Sequence, residues 1–556
     1  MKSDIEIAQS VKLKHISEIA ENAGIVPDDL ELYGKYKAKL PLSLIDESRV
    51  KNSNLILVTA ITPTPSGEGK TTVSIGLAQG MNRIGKNTTV VLREPSLGPV
   101  FGLKGGAAGG GMSQVLPMEE INLHFTGDLA AVEKAHNLLA ALIDNNLQNL
   151  KYTLGIDPRT IRWKRVIDMN ERALRNIIVG LGGPKHGMPR ESGFDITAAS
   201  EIMAVLCLAK NIDDLKTRLG NIFVGHTYDG KPVFAKDLKA QGAMAALLKD
   251  AIKPNLVQTI EGTPAIIHGG PFANIAQGTN SILGTKMGMT ISGHVVTEAG
   301  FASDLGAEKF LNIKCQYGGL SPKAVVVVAT IRALKYHGGK KLKELNDPDP
   351  EAVEKGLPNL EKHLENIGMF NLVPVVAVNK FTGDTDEEIN VVLERCKTLG
   401  YESSVAEGWE KGGEGTVDLA EKVIKVINEG KSGFRPLYSF NSDIEKKINT
   451  IAENIYGAAN VEYSVQAKID IKNIIDLGLD KLPVCIAKTQ KSLSDNPYLK
   501  GRPEGFTVKI REVELAAGAG FVIPIAGNIM RMPGLPPLPA AENIDIDKDG
   551  TITGLF

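Results

Sequence analysis

The apolar and polar positions of this chain fall into a repeating rhythm of strand, loop and helix. Asn54–Ala60, "NLILVTA", is a short apolar run that ends at turn residues. Lys70–Arg83 then carries apolar residues at helical spacing through Val73, Leu77 and Met81. "NTTVVL" at 87–92 follows as a second buried strand. Strand, loop, helix and strand in that order predict one right-handed parallel unit of a doubly wound sheet. Two later runs, "AVVVVATI" at 324–331 and "LVPVVAV" at 372–378, have no polar face and read as central parallel strands covered on both sides. The pattern predicts an α/β fold: a P-loop-type, doubly wound, mostly parallel sheet in a large N-terminal domain, with two smaller α/β domains. The polar stretch "KLKELNDPDPEAVEKGLPNLEKH" and the segment "NEGKSGFRP" place the divisions at 1–345, 346–435 and 436–556.

Length supports more than one unit, because 556 residues exceed what a single hydrophobic core spans. The 63 basic and 65 acidic side chains nearly cancel to a net charge of −2, so no long-range field draws in a polyanion and nucleic acid is not an expected partner. Cys207, Cys315, Cys396 and Cys485 are far apart and lack C-x-x-C spacing, which fits a reducing compartment and excludes a cysteine zinc cluster. The N-terminal stretch mixes charged and apolar residues without the continuous apolar core of a secretory signal. No run approaches the ~20 apolar residues of a membrane helix. A cytoplasmic protein without membrane partners is the expectation.

Chemistry enters between the first strand and its helix. Thr64-Pro65-Ser66-Gly67-Glu68-Gly69-Lys70-Thr71, "TPSGEGKT", ends as a G-x-x-x-x-G-K-S/T phosphate loop does, but it begins with Thr in place of Gly. Gly67 and Gly69 can take backbone angles that let successive N–H groups curl around an anion at the helix start. Lys70 would reach the β and γ phosphates of ATP, and the Thr71 hydroxyl would reach its magnesium ion. Pro63 and Pro65 pre-set the bend that the missing glycine would otherwise provide. "NKFTGD" at 379–384 approaches the guanine-reading N-K-x-D motif but has Thr382 at the acidic position, which favours ATP over GTP. "DIDKDGTI", from Asp545, opens like an EF-hand, yet its twelfth position is Phe556 and supplies no bidentate carboxylate. On the loop and its helix alone, a P-loop regulatory ATPase acting through a protein partner is the alternative reading.

"REPSLGPVFGLKGGAAGGG" follows the second strand and therefore lies at the carboxyl edge of the sheet, where open α/β proteins bind ligands. Arg93 and Lys104 would bring cations there. In this segment and in "VATIRALKYHGG" at 328–339, the chain resembles the formate–tetrahydrofolate ligase family. "TPTPSGEGKTT", "MEEINLHFTGD", "HGGPFANIA", "TEAGFASDLGAEKF", "VNKFTGDTDEE" and "LPVCIAKTQKSLSDNP" extend the resemblance over residues 62–496. Met112, where the glycine-rich motif usually continues with an aromatic, departs from the family pattern, as do Gln277, Thr279 and Lys491.

The resemblance implies an ATP-dependent ligase that joins formate to tetrahydrofolate. Its products would be 10-formyltetrahydrofolate, ADP and phosphate, and its intermediate formyl phosphate. It also implies a homotetramer activated by potassium or ammonium, with MgATP as substrate. Two anions must meet in the first step, so cations are required, and Lys70, magnesium and Arg93 are the candidates. Arg93 can hold planar oxygens in a fork, where Lys70 acts as a point charge. Glu94 is a candidate for orienting the folate amine or Arg93. Aromatic residues make up only 5% of the chain, and the resemblance implies that two of them, Phe381 and Trp409, sandwich the pterin ring. Trp163 reads as a packing residue, and His337 is assigned no catalytic role.

Overall fold

The computed structural model describes residues 2–103 and 108–555. Its centre is a mostly parallel, mixed twelve-stranded sheet. The parallel strands are β1 (Asn54–Ala60), β2 (Thr88–Leu92), β3 (Pro264–Ile267), β4 (His294–Glu298), β5 (Pro322–Ala329), β6 (Pro374–Asn379) and β7 (Ser403–Ala406). They lie in the order β3-β2-β4-β1-β5-β6-β7, so the parallel strand that comes first in the chain lies in the middle of the parallel set. Asn255–Thr259 runs antiparallel beside β3 and extends that edge. Strands β6 and β7 belong to this same sheet, continuous with the strands before residue 345.

Side chains alternate across a strand, and β1 separates two cores accordingly. Leu55 and Leu57 face one apolar layer, whereas Ile56, Val58 and Ala60 face the other. In β5, Val325, Val327 and Ala329 join the first layer, and Ala324, Val326 and Val328 join the second. A strand buried on both faces has no room for polar residues, which is why these segments read as continuous apolar runs. Helix α1 (Lys70–Arg83) covers the second face through Val73, Leu77 and Met81, together with α3 (Val417–Glu429). Helix α2 (Pro350–Met369) covers the first through Val353, Leu357, Leu360, Leu364 and Ile367. The polar stretch that suggested a division near 345 therefore contains a long helix whose apolar residues recur at steps of four and three.

Much of the chain between β2 and β3 builds a separate helical layer. Asp128–Gln148, Glu201–Leu208 and Ile212–Gly220 are its main helices, and it also buries Phe521, Ile523 and Ile525 from the C-terminal part of the chain. That C-terminal part carries a three-stranded sheet, Asn460–Tyr463, Thr507–Ala516 and Phe521–Ala526. Trp163 sits in the helical layer, 9% exposed, stacked on His136 with ring centroids 4.1 Å apart. Its Nε1–H donates to the His136 carbonyl at 3.3 Å. All four cysteines are free and buried. No helix among the described residues is long and apolar enough to cross a membrane.

Candidate functional site

Parallel strands release their chains on the same side, and here the carboxyl ends of adjacent strands converge on one cavity of about 690 Å³. The loop after β1, Arg93 and Glu94 after β2, Gly270 after β3, and Glu298 at the end of β4 all line it. Gln490, Lys491, Pro533, Gly534 and Pro536 close it from the C-terminal part of the chain. Of the residues the sequence set apart from the resemblance, Lys491 borders the cavity. Thr279 is buried and bridged to Ala299, the residue after Glu298, and Gln277 is buried with its Nε2 3.4 Å from the Ala204 carbonyl.

The loop owes its shape to a buried carboxylate. Glu68 is 1% exposed, and its Oε1 accepts from the Thr64 N–H at 2.6 Å and from the Thr64 hydroxyl at 3.0 Å. Its Oε2 accepts from the hydroxyl of Thr330, the residue after β5. Burial raises the Glu68 carboxyl above its ordinary value, against the opposing pull of the Thr330 and Thr64 hydrogen bonds. Thr64 therefore does by side-chain closure what a glycine at that position would do by backbone freedom. Gly67 and Gly69 have φ of +82° and +69°, the left-handed region that other residues avoid. Asn379, the last residue of β6, donates from Nδ2 to the Glu68 carbonyl at 3.0 Å, and a Cβ on Gly69 would lie 2.4 Å from that same nitrogen. Gly69 caps α1 without a side-chain hydrogen bond, and Lys70 and Thr71 open the helix. Backbone N–H groups of its first turn therefore face the cavity, an arrangement suited to phosphate.

Glu298 joins the loop to Arg93. Its Oε2 accepts from the Thr71 hydroxyl at 2.9 Å, and its Oε1 lies 3.6 Å from Arg93 Nη2. Arg93 Nη1 donates to the Pro271 carbonyl at 3.5 Å, and its buried Nε has no partner among the described residues. The carboxylate that holds Arg93 is thus Glu298 rather than its neighbour in sequence. Glu94 is 4% exposed, with Oε2 unsatisfied among the described residues. Burial pushes its carboxyl well above the usual range, and the charge of Asp128 adds to the effect. The hydroxyl of Thr71 and the carboxylate of Glu298 form an oxygen donor pair of the kind that suits magnesium held with nucleotide phosphates.

The sequence-derived residues divide between two places. Thr64, Pro65, Ser66, Gly67, Glu68, Gly69, Lys70, Thr71, Arg93 and Glu94 line the cavity. Phe381 and Trp409 do not, although they follow the neighbouring strands β6 and β7 at the same edge. Arg332 lies over the Phe381 ring, 5.6 Å from its centroid. Trp409 is 37% exposed, and a Cβ on Gly110 would come within 3.2 Å of its Cδ1 and Nε1. The Met112 N–H donates to the Trp409 carbonyl at 2.8 Å. The glycines at 110 and 111 are therefore explained by the tryptophan packed against them. Lys104 lies outside the described residues. Glu298, Thr330 and Asn379 were not picked out from sequence; Glu298 lies in "TEAGFASDLGAEKF" and Asn379 opens "NKFTGD", so the position at a strand end was the available signal.

The family model of formate–tetrahydrofolate ligase matches residues 2–556. The chain belongs to that family and is an ATP-dependent ligase of one-carbon metabolism. A match over almost every residue does not favour a regulatory ATPase. Gly69→Ala adds a methyl group against Asn379 at a left-handed residue, costing roughly 1–2 kcal/mol in backbone strain alone. Displacing the start of α1 should lower kcat/KM for ATP by about 10- to 100-fold. Unchanged ATP kinetics in the folded variant would show that the loop does not need this conformation.

Proposed function

We propose that the chain joins formate to tetrahydrofolate through formyl phosphate, giving 10-formyltetrahydrofolate, ADP and phosphate. The observation that carries this reading is the convergence of Lys70, Thr71 and Arg93 on one cavity around Glu298. Formate is a poor acyl donor because its leaving group would be an oxide. In the first step a formate oxygen attacks the γ phosphorus and the bond to ADP breaks, which gives a mixed acyl–phosphate anhydride whose leaving group is phosphate instead of oxide. In the second, N10 of the folate attacks the formyl carbon, the carbon–oxygen bond to phosphate breaks, and the amine loses its proton.

The first step brings two anions together, and Lys70 and Arg93 supply the compensating charge. Arg93, oriented by Glu298, offers its fork to formate and to the transferring phosphoryl group. Thr64 to Thr71 hold the nucleotide phosphates. Thr71 and Glu298 would hold the magnesium, whose charge lowers the repulsion between the phosphates and the incoming carboxylate. Glu94, whose protonated form is favoured by burial, lines the same cavity and orients the folate amine. Phe381 and Trp409 form the pterin sandwich, and the surface that Trp409 leaves exposed is available for a flat ring. On this reading residues 1–345 carry phosphoryl transfer, 346–435 the folate contacts, and 436–556 the closure of the cavity. A cytoplasmic homotetramer activated by potassium or ammonium completes the proposal.

Isotope transfer tests the intermediate. With formate labelled by oxygen-18, one labelled oxygen should pass into inorganic phosphate; unlabelled phosphate would eliminate formyl phosphate. The folate site has its own test. Trp409→Ala should remove roughly 1–3 kcal/mol of stacking and weaken tetrahydrofolate binding about 5- to 150-fold in calorimetric titration, with ATP binding unchanged. Full folate affinity in a well-folded variant would sink the assignment. Trp163→Ala is the contrast: a loss of about 3–5 kcal/mol of stability without selective loss of folate affinity.

A further inference from the structure

The loop that carries Lys70 is rooted in a buried cluster outside the cavity. The last ladder bond of β1 runs from the Ile61 N–H to the Val328 carbonyl. Beyond it, Pro63 and Pro65 have no N–H to donate, so the root must be held through Thr62. All three polar groups of Thr62 are engaged. Its N–H donates to His363 Nε2 at 2.9 Å and, at the longer distance of 3.3 Å, to Asn359 Oδ1. Its carbonyl lies 2.9 Å from His337 Nε2. Its hydroxyl accepts from Asn359 Nδ2 at 3.1 Å and lies 2.9 Å from His363 Nε2.

The proton positions follow from what each partner can do. A backbone N–H only donates, so His363 Nε2 is an acceptor, and the ring proton is on Nδ1, 2.7 Å from the Ser303 hydroxyl. A carbonyl only accepts, so His337 carries its proton on Nε2 and accepts the Gly501 N–H on Nδ1 at 3.1 Å. Asn359 closes the ring by donating to the Gly501 carbonyl at 2.7 Å. Thr62, Ser303, Asn359 and His363 are each at most 1% exposed. Burial depresses His363 to about 3 and His337 to about 4, so both rings are neutral and their hydrogen-bond pattern stays fixed across the neutral range.

We infer that His363 and His337 are positioning residues that clamp Thr62, and through it hold the phosphate loop in register with Ser303 and with the C-terminal segment at Gly501. Ser303 lies five residues after Glu298, so the clamp ties the loop to the segment that orients Arg93. Asn359 and His363 stand one turn apart on α2, which dedicates one buried patch of that helix to Thr62. The inference rests on the reading of residues 64–71 as a phosphate loop.

Amide replacements separate the two edges of each ring, because Gln places a polar atom near Nε2 and Asn places one near Nδ1. His363→Gln keeps the contact to Thr62, and His363→Asn keeps only the contact to Ser303. We expect kcat for the complete reaction to fall at least tenfold in the Asn variant and to stay within about threefold of the parent in the Gln variant, with similar thermal unfolding in both. His337→Gln and His337→Asn should repeat the contrast. Equal kcat in folded Gln and Asn variants would overturn the clamp, because a merely structural histidine has no reason to prefer one edge. Lys70→Ala separates the two readings. If it abolishes turnover while the Gln and Asn variants match, the clamp alone fails; if Lys70→Ala keeps turnover, the phosphate loop fails and the clamp with it.

Discussion

Glu298 is the constraint on which the rest of the site depends. One carboxylate at the end of β4 reaches the Thr71 hydroxyl at 2.9 Å and the Arg93 guanidinium at 3.6 Å. Thr71 and Arg93 follow in the chain the strands that flank β4, so a single side chain ties the start of α1 to the Arg93 guanidinium. The parallel arrangement makes this possible, because the ends of β1, β4 and β2 lie side by side. Glu298 is 2% exposed, and a carboxylate so deep in the protein is tolerable only where hydrogen bonds and a cation compensate it.

Around that centre the chain uses buried polar groups to shape backbone rather than to meet solvent. Glu68 folds the loop onto Thr64 and ties it to Thr330, and Asn379 pins it from the other side. Thr62 is held by two neutral histidines. Each contact comes from a different strand end or from a helix on the sheet's face, so the loop conformation is a property of the assembled sheet. Cavity walls contributed by residues 490–491 and 533–536 mean that the site is complete only when the C-terminal part is in place.

Much of this was legible in the sequence. β1 matches the apolar run at 54–60, and α1 matches the periodicity of Val73, Leu77 and Met81, because a fully buried strand and the apolar spacing of a helix leave strong local patterns. The cation-bearing residues were legible through the motif "GEGKT" and the position of Arg93 after a strand. The partners were not: Thr71 and Glu298 are separated by 227 residues, and Thr62 and His363 by 301. No local pattern records such pairs. Helix α2 was hidden by its charged outer face, and the helical layer by the absence of any quoted motif between residues 129 and 263. Trp409 was singled out by its rarity and its glycine neighbours, and the structure adds why glycines stand opposite it at 110 and 111.

The claim that Glu298 unites the loop and Arg93 into one anion site is tested most directly by a double-mutant cycle. Glu298→Gln and Arg93→Lys, alone and combined, would be compared through kcat/KM for formate at saturating MgATP and tetrahydrofolate. Residues that act through one contact are non-additive, and the account predicts a coupling energy of at least about 1 kcal/mol. Effects that add to within about 0.5 kcal/mol would contradict it, because Arg93 would then bind its anion without help from Glu298.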